Sequence, residues 1–493
     1  MDCDYLIIGG GSAGAIIARR LADASQDKIV VLEAGRSDED DPAMLDLSRL
    51  DEQTEETEWG FLASPQRGGP AVLRYSRAKV LGGCGNHNDC AFLVPPESDF
   101  AAWEALGASG WGPEGVQPYF GKVEGMVQVE TDPPLSPTSA AFLRAGQELG
   151  LPHLQFRDRI AAGVGSFPLN VSGAARQASS NCYLHPLSAL PPHLQVMTGT
   201  LAERLLFEGT KVVGCQTSRG AIHARREVIL CAGSIQTPQL LMVSGVGPAA
   251  ELRHHGISLV ADAGGVGRHL LDHPDAPLIY SLAATAPAGA LTPCEAAMLL
   301  HLDKTEPAPE ILCHFALRLR EKYTTGGDIC AAENGVKVTP NVARARSQGE
   351  VRLSGADVRD HPVIDLNYYS DPEGYDLRTI LAGLSFCRKL KGTAAFEALG
   401  AVEMAPGPEV QTEDELADYV RRTCGTVYHP AGTCRMGRAE DPGTVVTPDL
   451  KVKGLENIRI CDASVFPAMV SVNLNNTVMM VAEKAADLII SQT

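Results

Sequence analysis

Three glycines near the start of the chain have the spacing of a phosphate-binding turn. Gly9, Gly11 and Gly14 stand in GxGxxG register within IIGGGSAG, between the apolar run DYLII and the helix-forming run AIIARRLADAS. Such glycines let backbone N–H groups approach a pyrophosphate, and the helix start favours its negative charge. A second apolar run, KIVVLEAG at 28–35, contains Glu33, an acid placed to bind ribose hydroxyls. The pattern predicts a dinucleotide site and disfavours NADP, because a carboxylate repels a 2′-phosphate, but it does not separate FAD from NAD.

A histidine set among small residues is the second candidate for chemistry. His87 lies in GGCGNHNDC, residues 82–90, a segment too polar for a core strand and too rich in glycine for a helix. So little side-chain bulk around one histidine indicates that the backbone there lies close to another group.

Composition and charge narrow the class of protein. The 493 residues exceed one simple core, and they predict two domains or one domain with a large insertion. The net charge of −18 argues against nucleic acid or an anionic membrane as a partner, although not against a cationic small substrate.

Targeting signals and cysteine usage are consistent with a cytoplasmic protein. No run reaches the ~18–20 apolar residues of a membrane span, and the start MDCDYLIIGGG lacks the basic leader of a secretory signal. The 13 cysteines include no CxxC pair, so we expect neither a disulfide framework nor a zinc site. A reducing cytoplasm is the expected compartment.

Long motifs along the chain resemble the glucose–methanol–choline (GMC) oxidoreductase family. In family order they are RAKVLGGCGNHN, CAGSIQTPQLLMVSGVGP, VGRHLLDHP, VYHPAGTCRMG and CDASVFPAMVSVNLNNTVMM. The resemblance covers nearly the whole chain, and the segments 82–111, 333–353 and 371–384 are most similar to choline oxidases. It implies an FAD enzyme that oxidises a small primary alcohol, with O2 or another acceptor taking the electrons. Alternatives are a dehydrogenase that uses a quinone or carrier, and a lyase or photodecarboxylase on the same scaffold.

The resemblance also implies which residues lie at the reacting alcohol. His429 in VYHP and Asn473 in VSVNLNN match the family's His/Asn pair beside flavin N5. Alcohol oxidation needs a base for the hydroxyl proton and a group that stabilises the developing alkoxide. His429 would be that base or, if protonated, the stabilising group, and Asn473 would orient the substrate oxygen. The presence of both residues argues against the lyase alternative.

The resemblance assigns the cofactor-binding residues as well. His87 matches a histidine that some members bond covalently to the flavin 8α carbon, and two other interpretations are non-covalent packing on the flavin's dimethylbenzene edge and a hydrogen bond to a loop carbonyl. The N-terminus of the final helix would face flavin N1 and O2. The full cofactor set is Gly9, Gly11, Ser12, Ala13, Gly14, Glu33, Ala34, Trp59, Gly83, Cys84, His87, Asn88, Asp89, Ala232, Tyr428, Asp462, Ala463, Asn475 and Thr477.

The substrate pocket departs from the pattern of choline oxidases. Asp89 stands where those enzymes carry a serine, and its role is open. Glu295 is a weak counterpart of the glutamate that holds the trimethylammonium group, or else a solvated helix charge. The surrounding segment, 291–315, offers one phenylalanine and no tryptophan or tyrosine for a cation–π cage. A second pocket histidine has no clear match in REKYTTGGDICAAEN, residues 320–334. The pocket candidates are therefore Asp89, Glu295 and Val427, and an alcohol other than choline is expected.

Together the motifs predict an α/β protein of discontinuous layout. A Rossmann-like FAD-binding domain would comprise residues 1–147, 189–275 and 427–493. An inserted substrate-binding domain, built on an antiparallel sheet flanked by helices, would comprise residues 148–188 and 276–426. Because members similar to choline oxidase are often dimers, we expect a homodimer.

Local patterns predict elements within the inserted part. Alternation over 351–367 predicts strands, and 380–392 and 412–424 predict helices, the second with a threonine cap. The proline-rich stretch TDPPLSPTSAA, residues 131–141, predicts a connector.

Overall fold

The computed structural model describes residues 1–67, 69, 73–158, 160–284, 291–317 and 334–492. The described strands are β1 (Asp2–Ile8), β2 (Ile29–Leu32), β3 (Leu62–Ala63), β4 (Leu73–Arg74), β5 (Gly163–Ser166), β6 (Val171–Ser172), β7 (Ala175–Arg176), β8 (Leu194–Met197), β9 (Ala202–Glu208), β10 (Lys211–Thr217), β11 (Gly220–Leu230), β12 (Val246–Gly247), β13 (Ala261–Asp262), β14 (Pro274–Asp275), β15 (Leu278–Ser281), β16 (Cys294–Leu300), β17 (Ile311–Ala316), β18 (Gly335–Val342), β19 (Glu350–Arg352), β20 (Val363–Asp365), β21 (Val402–Ala405), β22 (Gly425–Thr426) and β23 (Ile458–Ile460). The α-helices of the same part are α1 (Ser12–Ala24), α2 (Pro42–Leu45), α3 (Glu97–Ala105), α4 (Pro113–Glu124), α5 (Pro137–Glu148), α6 (Gly233–Val243), α7 (Ala249–His254), α8 (Tyr375–Cys387), α9 (Ala394–Ala398), α10 (Glu413–Thr423) and α11 (Asn475–Ile490). None of these helices is both long enough and apolar enough to cross a bilayer.

The first sheet confirms the Rossmann-like architecture. Its strand order is β8-β2-β1-β11-β10-β9, and β23 pairs with β11. The pairs that join β8, β2, β1, β11 and β23 are parallel, whereas β10 and β9 are antiparallel additions. All four residues of β2 are buried, as expected for a parallel strand covered on both faces. Helices α1 and α11 pack against each other over this sheet and share its core.

The second sheet confirms the antiparallel, helix-flanked architecture expected of the inserted part. Its order is β21-β15-β18-β17-β16-β5, and β14 pairs with both β18 and β22. Apolar side chains on one face pack against α5, α8, α9 and α10. Because strand residues alternate between faces, the neighbouring positions point to the opposite side, where the cavity described below lies.

The proline-rich stretch is a connector only in its first half. Helix α5 begins at Pro137, within that stretch, and the Ser136 side chain accepts a hydrogen bond from the Ser139 backbone as its N-cap. Proline suits the first turn of a helix because its missing N–H has no partner there. The helix packs on β16 and β5 of the second sheet, although the boundary expected at residue 147 assigns it to the first domain.

The other elements predicted for the inserted part are present with shifted ends. The alternating stretch forms β19 and β20, which pair with each other and, through β20, with β3. Helix α8 starts at Tyr375, five residues before its predicted start, because Asp376 and the residues after it continue the helical pattern. Helix α10 has the expected Thr412 cap, completed into a capping box by Glu415.

Candidate active site

A cavity of about 420 Å³ is lined by residues of both main sheets. It brings together most of the residues that the sequence assigns to cofactor and substrate. Gly14, Thr477 and Glu295 are the expected residues that do not line it. Those that do are Gly9, Gly11, Ser12, Ala13, Glu33, Ala34, Trp59, Gly83, Cys84, His87, Asn88, Asp89, Ala232, Val427, Tyr428, His429, Asp462, Ala463, Asn473 and Asn475.

The glycine turn forms one end of the cavity. Gly9 has a φ of 105°, which favours glycine, and a Cβ on Gly14 would lie 1.9 Å from the Gly9 carbonyl oxygen. Gly14 therefore permits close packing of helix on turn rather than contact with a ligand. The Glu33 carboxylate accepts backbone hydrogen bonds from Gly10 (3.0 Å) and Gly35 (2.7 Å). Burial raises the pKa of Glu33 to about 7.

Two helix N-termini meet at this cavity. Helix α1 begins after Gly11 and helix α11 after Leu474, and no described side chain caps the first N–H groups of either helix. The Ser12 hydroxyl donates to Asn475 Oδ1 at 2.8 Å and joins the two ends. Buried Thr477 Oγ1 has no hydrogen-bond partner among the residues that the structure describes. Uncapped N–H groups and a positive helix end suit a polar, anionic cofactor such as FAD.

Asp462 acts chiefly on helix α6. Its carboxylate accepts from the Gly233 backbone (2.8 Å), the Thr237 hydroxyl (2.6 Å) and the Ser464 backbone (2.9 Å). These bonds position the start of α6 and the adjacent Ala463 against the cavity.

His87 lies at the cavity wall between two side chains of the preceding segment. Its Nδ1 is 3.2 Å from Glu58 Oε1, and its Nε2 is 3.2 Å from Thr57 Oγ1. The small residues before it form a short 3₁₀ turn, Gly83–Asn86, and this turn brings the loop backbone to the cavity.

A buried network fixes the His87 loop in place. Asn86 Nδ2 donates to Asp38 Oδ2 (2.7 Å) and to the Leu81 carbonyl (2.8 Å). Asp38 also contacts the Ser180 hydroxyl (2.6 Å) and His185 Nε2 (2.9 Å). Since Asp38 and Asn86 are fully buried, these bonds are costly to break.

The structure places the two predicted catalytic residues side by side. Asn473 Nδ2 lies 3.5 Å from His429 Nε2, and both residues line the cavity. The preceding residue, Tyr428, has a φ of 64°, a strained conformation of the kind found at functional sites. It is held by the Thr426 hydroxyl, which accepts from its N–H (2.7 Å), and by Arg77, which donates to its carbonyl (2.7 Å).

Asp272 is a buried carboxylate that organises this region. Its Oδ1 accepts the backbone N–H groups of His273 (2.8 Å) and His429 (2.9 Å). Its Oδ2 accepts three hydroxyls, those of Tyr75 (2.9 Å), Tyr368 (2.7 Å) and Thr426 (2.6 Å). A charge buried in this way is stabilised only by such complete hydrogen bonding.

Two histidines beside His429 were missed by the sequence analysis. His273 Nδ1 lies 2.8 Å from His429 Nδ1, and His314 lines the cavity with its ring stacked on Phe167. Burial lowers the pKa of His273 to about 4, and burial, with the nearby His273 and Lys337, lowers that of His314 to about 3.

His429 itself is held neutral. Burial is the main reason that its pKa lies well below the ordinary value, and neighbouring His273, His314 and Arg77 lower it further. At neutral pH its imidazole is therefore unprotonated, as a proton acceptor must be.

The wall opposite the glycine turn comes from the second sheet. Cys294, Ala316 and Lys337 lie in one cross-strand row, and all three line the cavity. The Lys337 ammonium is 3.8 Å from the carboxylate of Asp275. Asp89 also lines the cavity, and its carbonyl accepts from the Thr292 hydroxyl (3.3 Å).

Glu295 lies away from the cavity rather than in the expected pocket. It lies at an irregularity in the pairing of β16 with β17, between Cys294 and Ala296, and Cys294 rather than Glu295 lines the cavity wall. Its buried carboxylate accepts the Ser136 backbone N–H (2.9 Å) in front of α5, and it is not a solvated helix charge. Residues 320–333, where a second pocket histidine was sought, lie outside the described residues.

Weak signals for the missed histidines were present in the sequence. His273 stands in VGRHLLDHP, a motif already assigned to the family, and His314 is a polar residue inside the apolar strand ILCHFA. Neither signal indicates that these histidines lie beside His429, because the three residues come from three separate segments of the chain.

Known proteins resemble this chain over nearly its whole length. Two family models, both described as GMC oxidoreductase, match residues 3–275 and 345–482. The chain is 38% identical to choline oxidase of Arthrobacter globiformis over 99% of this chain and 94% of that protein. It is 33% identical to an oxygen-dependent choline dehydrogenase of Brucella ovis over 100% of this chain and 96% of that protein.

A solved structure shows the same fold. Pyridoxine 4-oxidase from Mesorbium loti superposes with a TM-score of 0.90 at 27% identity and covers 98% of both chains. With the family models and the curated relatives, this similarity shows that the chain belongs to the GMC oxidoreductases and is an FAD-dependent alcohol oxidoreductase.

Proposed function

We propose that this protein oxidises a small primary alcohol to the aldehyde, with His429 and Asn473 at the reacting hydroxyl and O2 as the electron acceptor. The observation that carries the proposal is the 3.5 Å approach of Asn473 Nδ2 to a partly buried, neutral His429 at the cavity wall. Bound FAD supplies the site that accepts the hydride, at its N5 atom.

The chain's own residues handle the proton and the oxygen. His429 Nε2 accepts the hydroxyl proton, and the Asn473 amide donates a hydrogen bond to the substrate oxygen as negative charge develops there. Both side chains are set before substrate arrives, because the backbone of His429 is fixed by Asp272 and by the strained Tyr428. Such preorganisation lowers the cost of reaching the transition state.

We propose that His87 is the covalent attachment point of FAD. Its ring lines the cavity, and the Glu58 contact at Nδ1 orients the ring with Nε2 away from that carboxylate. Flavin that stays with acid-precipitated wild-type protein, and leaves it in the His87→Ala variant, supports the assignment. Flavin released from the wild type overturns it.

The charges at the substrate end favour an uncharged alcohol over choline. The Lys337 ammonium lies at that wall beside the carboxylate of Asp275, and this pairing leaves no unpaired negative charge on Asp275 to attract a quaternary ammonium group. Among the described residues, the Trp, Phe and Tyr side chains that line the cavity are Trp59, Phe167 and Tyr428, and the ring of Phe167 is already stacked on that of His314.

Anaerobic mixing tests substrate and acceptor together. The holoenzyme is mixed with choline and, separately, with a benzyl alcohol, while the absorbance of the oxidised flavin is followed before and after air is admitted. Bleaching by the neutral alcohol alone, with rapid recovery in air, is the expected result. Bleaching by choline overturns the assignment of an uncharged substrate, and bleaching that persists in air identifies a dehydrogenase with another acceptor.

The domain division is also proposed here. The FAD-binding part comprises 1–136, 189–275 and 427–493, and the substrate-binding part comprises 137–188 and 276–426. Packing of α5 on the second sheet is the reason to move the first boundary from 147 to 136. The assembly is proposed to be a cytoplasmic homodimer from family resemblance alone, and sedimentation of the holoenzyme tests the stoichiometry.

A further inference from the structure

The contact between His273 and His429 joins two nitrogens of the same kind. The two Nδ1 atoms are 2.8 Å apart, and the rings cross at 85° with centroids 5.0 Å apart. A hydrogen bond of this length needs a proton on one nitrogen and a lone pair on the other. The geometry of the pair alone allows either arrangement.

The second nitrogen of His273 removes that ambiguity. His273 Nε2 lies 3.0 Å from the carbonyl oxygen of Ala343 and 3.0 Å from that of Val470. A carbonyl oxygen can only accept, so Nε2 carries a proton and donates to this pair. Because the ring is buried and neutral at ordinary pH, its Nδ1 has a lone pair and accepts.

The protonation of His273 determines which nitrogen of His429 carries a proton. Its Nδ1 must carry the proton of the shared bond, and a neutral imidazole with Nδ1–H has its lone pair on Nε2. The Asn473 amide is oriented in agreement, since it presents Nδ2, a donor, to that atom at 3.5 Å. The lone pair thus faces the side of the ring where the substrate hydroxyl would lie.

We propose that His273 is a positioning residue that fixes His429 in the Nδ1–H tautomer, so that His429 Nε2 is the atom that takes the alcohol proton. The inference rests on the proposed function for the role of His429 as base. In the step itself, the O–H bond breaks, an Nε2–H bond forms, and the electron pair stays on the substrate oxygen. His273 remains neutral and continues to accept from Nδ1–H, which stabilises the imidazolium that forms.

Other charged or titratable groups around the pair agree with this assignment. Asp272 is engaged with the backbone N–H groups of both histidines and with three hydroxyls, so it does not compete for a ring proton. Arg77 and His314 lie near His429, and Lys337 lies near His314; all three favour neutral imidazoles. Among the described residues, His273 Nδ1 is the hydrogen-bond partner of His429 Nδ1, at 2.8 Å.

The first test reads the tautomer directly in the wild-type holoenzyme. Histidine is labelled with ¹⁵N, the His429 signals are assigned by their loss in His429→Ala, and the nitrogen–proton coupling pattern is recorded. We expect a proton on Nδ1 and none on Nε2. A proton on Nε2 overturns the proposal. This measurement needs no substrate, so it stands even if His429 proves not to be the base.

Two matched substitutions separate positioning from structural support. His273→Asn keeps an acceptor near the position of Nδ1, whereas His273→Gln keeps a donor near the position of Nε2 but loses that acceptor. We expect the rate of flavin reduction to fall at least ~10-fold in His273→Gln, a part of the effect of losing the base. We expect His273→Asn to recover most of that loss.

The outcomes are distinct. A His273→Gln protein with the wild-type rate and the wild-type tautomer overturns the role of His273. Suppose instead that wild-type His429 carries its proton on Nδ1 but that His429→Ala reduces flavin at the wild-type rate. The role of His273 in fixing the tautomer then stands, and the proposed function, with His429 as the base, is overturned.

Discussion

His429 is a partly buried imidazole whose surroundings keep it unprotonated at neutral pH, so its lone pair is available to a substrate proton. We expect His429→Ala to slow flavin reduction by the alcohol at least ~100-fold, the lower end of what general-base catalysis supplies. Stopped-flow measurement of the reductive step checks this. His254→Ala, which removes an exposed histidine at the end of α7, is the matched control. A near-wild-type rate in His429→Ala contradicts the assigned role.

The same environment of His429 determines the pH below which the rate of flavin reduction falls. A base whose pKa is lowered stays active above that pKa and loses activity as the pH falls through it. Burial, His273, His314 and Arg77 place the pKa of His429 well below 6.5. The rate of flavin reduction should therefore stay constant from pH ~8 down to 6.5, where an unperturbed histidine would be half protonated. A half-maximal rate at pH 6.5 or above in that titration contradicts this expectation.

Sequence motifs identified some residues of the candidate active site but not others. His429 and Asn473 stand in long motifs, and the structure brings them together. His273 and His314 act through proximity across separate segments, which no spacing in the sequence encodes. Glu295 was assigned to the pocket by a weak resemblance to the glutamate of choline oxidases, but it lies at an irregularity of β16 and its carboxylate accepts from Ser136 in front of α5.

At the scale of the elements, the junction of β1 and α1 leaves no room for an added side chain at Gly14. A Cβ on Gly14 would lie 1.9 Å from the Gly9 carbonyl oxygen, so Gly14→Ala must push α1 away from the turn. Because the N–H groups at the start of α1 face the cavity, we expect this variant to lose most of its FAD while the chain stays folded. The ratio of flavin absorbance to protein absorbance, with circular dichroism for folding, measures the effect.

Gly121→Ala is the control for that substitution. Gly121 is exposed in α4, and no atom of the described residues outside the helix lies within 4 Å of the Cβ it would gain. Alanine there should stabilise the helix by roughly 0.5–1 kcal/mol and leave the flavin content unchanged. Equal flavin loss in both variants would mean that the close approach of Gly14 to Gly9 does not matter for binding.

Elements with strong local signals were predictable, and their boundaries less so. The β1–α1–β2 unit and the Thr412 cap of α10 follow from spacing and capping residues. The start of α5 was missed because Pro137 reads as a breaker, although proline is favourable in a first turn. Helix α5 belongs to the substrate-binding part because it packs against β16. The residues of α5 alone do not reveal this contact with a distant strand.

For the whole molecule, buried neutral histidines make stability depend on acidity. His314 has an ordinary pKa of 6.5 when unfolded and about 3 when folded. Between these values the unfolded chain binds one more proton, so stability falls as the pH drops, by roughly 1.4 kcal/mol per pH unit for each such histidine. His273, with a folded pKa of about 4, adds to this effect over most of the same range.

Glu33 makes stability depend on pH in the opposite direction. Its pKa is raised to about 7 in the folded chain, so its contribution to stability is lost as the pH rises from 4.5 through 7. A comparison of two variants that differ only at one histidine cancels this opposing contribution.

His314→Asn isolates one histidine. We expect the slope of unfolding free energy against pH, between pH ~6 and ~4, to be smaller than in the wild type by roughly 1.4 kcal/mol per unit. Urea denaturation across that range measures it, and His254→Asn, at an exposed site, should keep the wild-type slope. Parallel slopes for His314→Asn and wild type would show that His314 titrates normally in the folded chain.

The meeting of α1 with α11 has a consequence for how the protein is made. Ser12 bonds to Asn475, and Arg20 forms a two-bond ion pair with buried Glu483, so residues far apart in the sequence close one end of the cavity. A ribosome that has released the glycine turn has not yet synthesised the helix that completes the site. The end of the cavity that both helices form is therefore complete only after α11 has been synthesised and has packed onto α1.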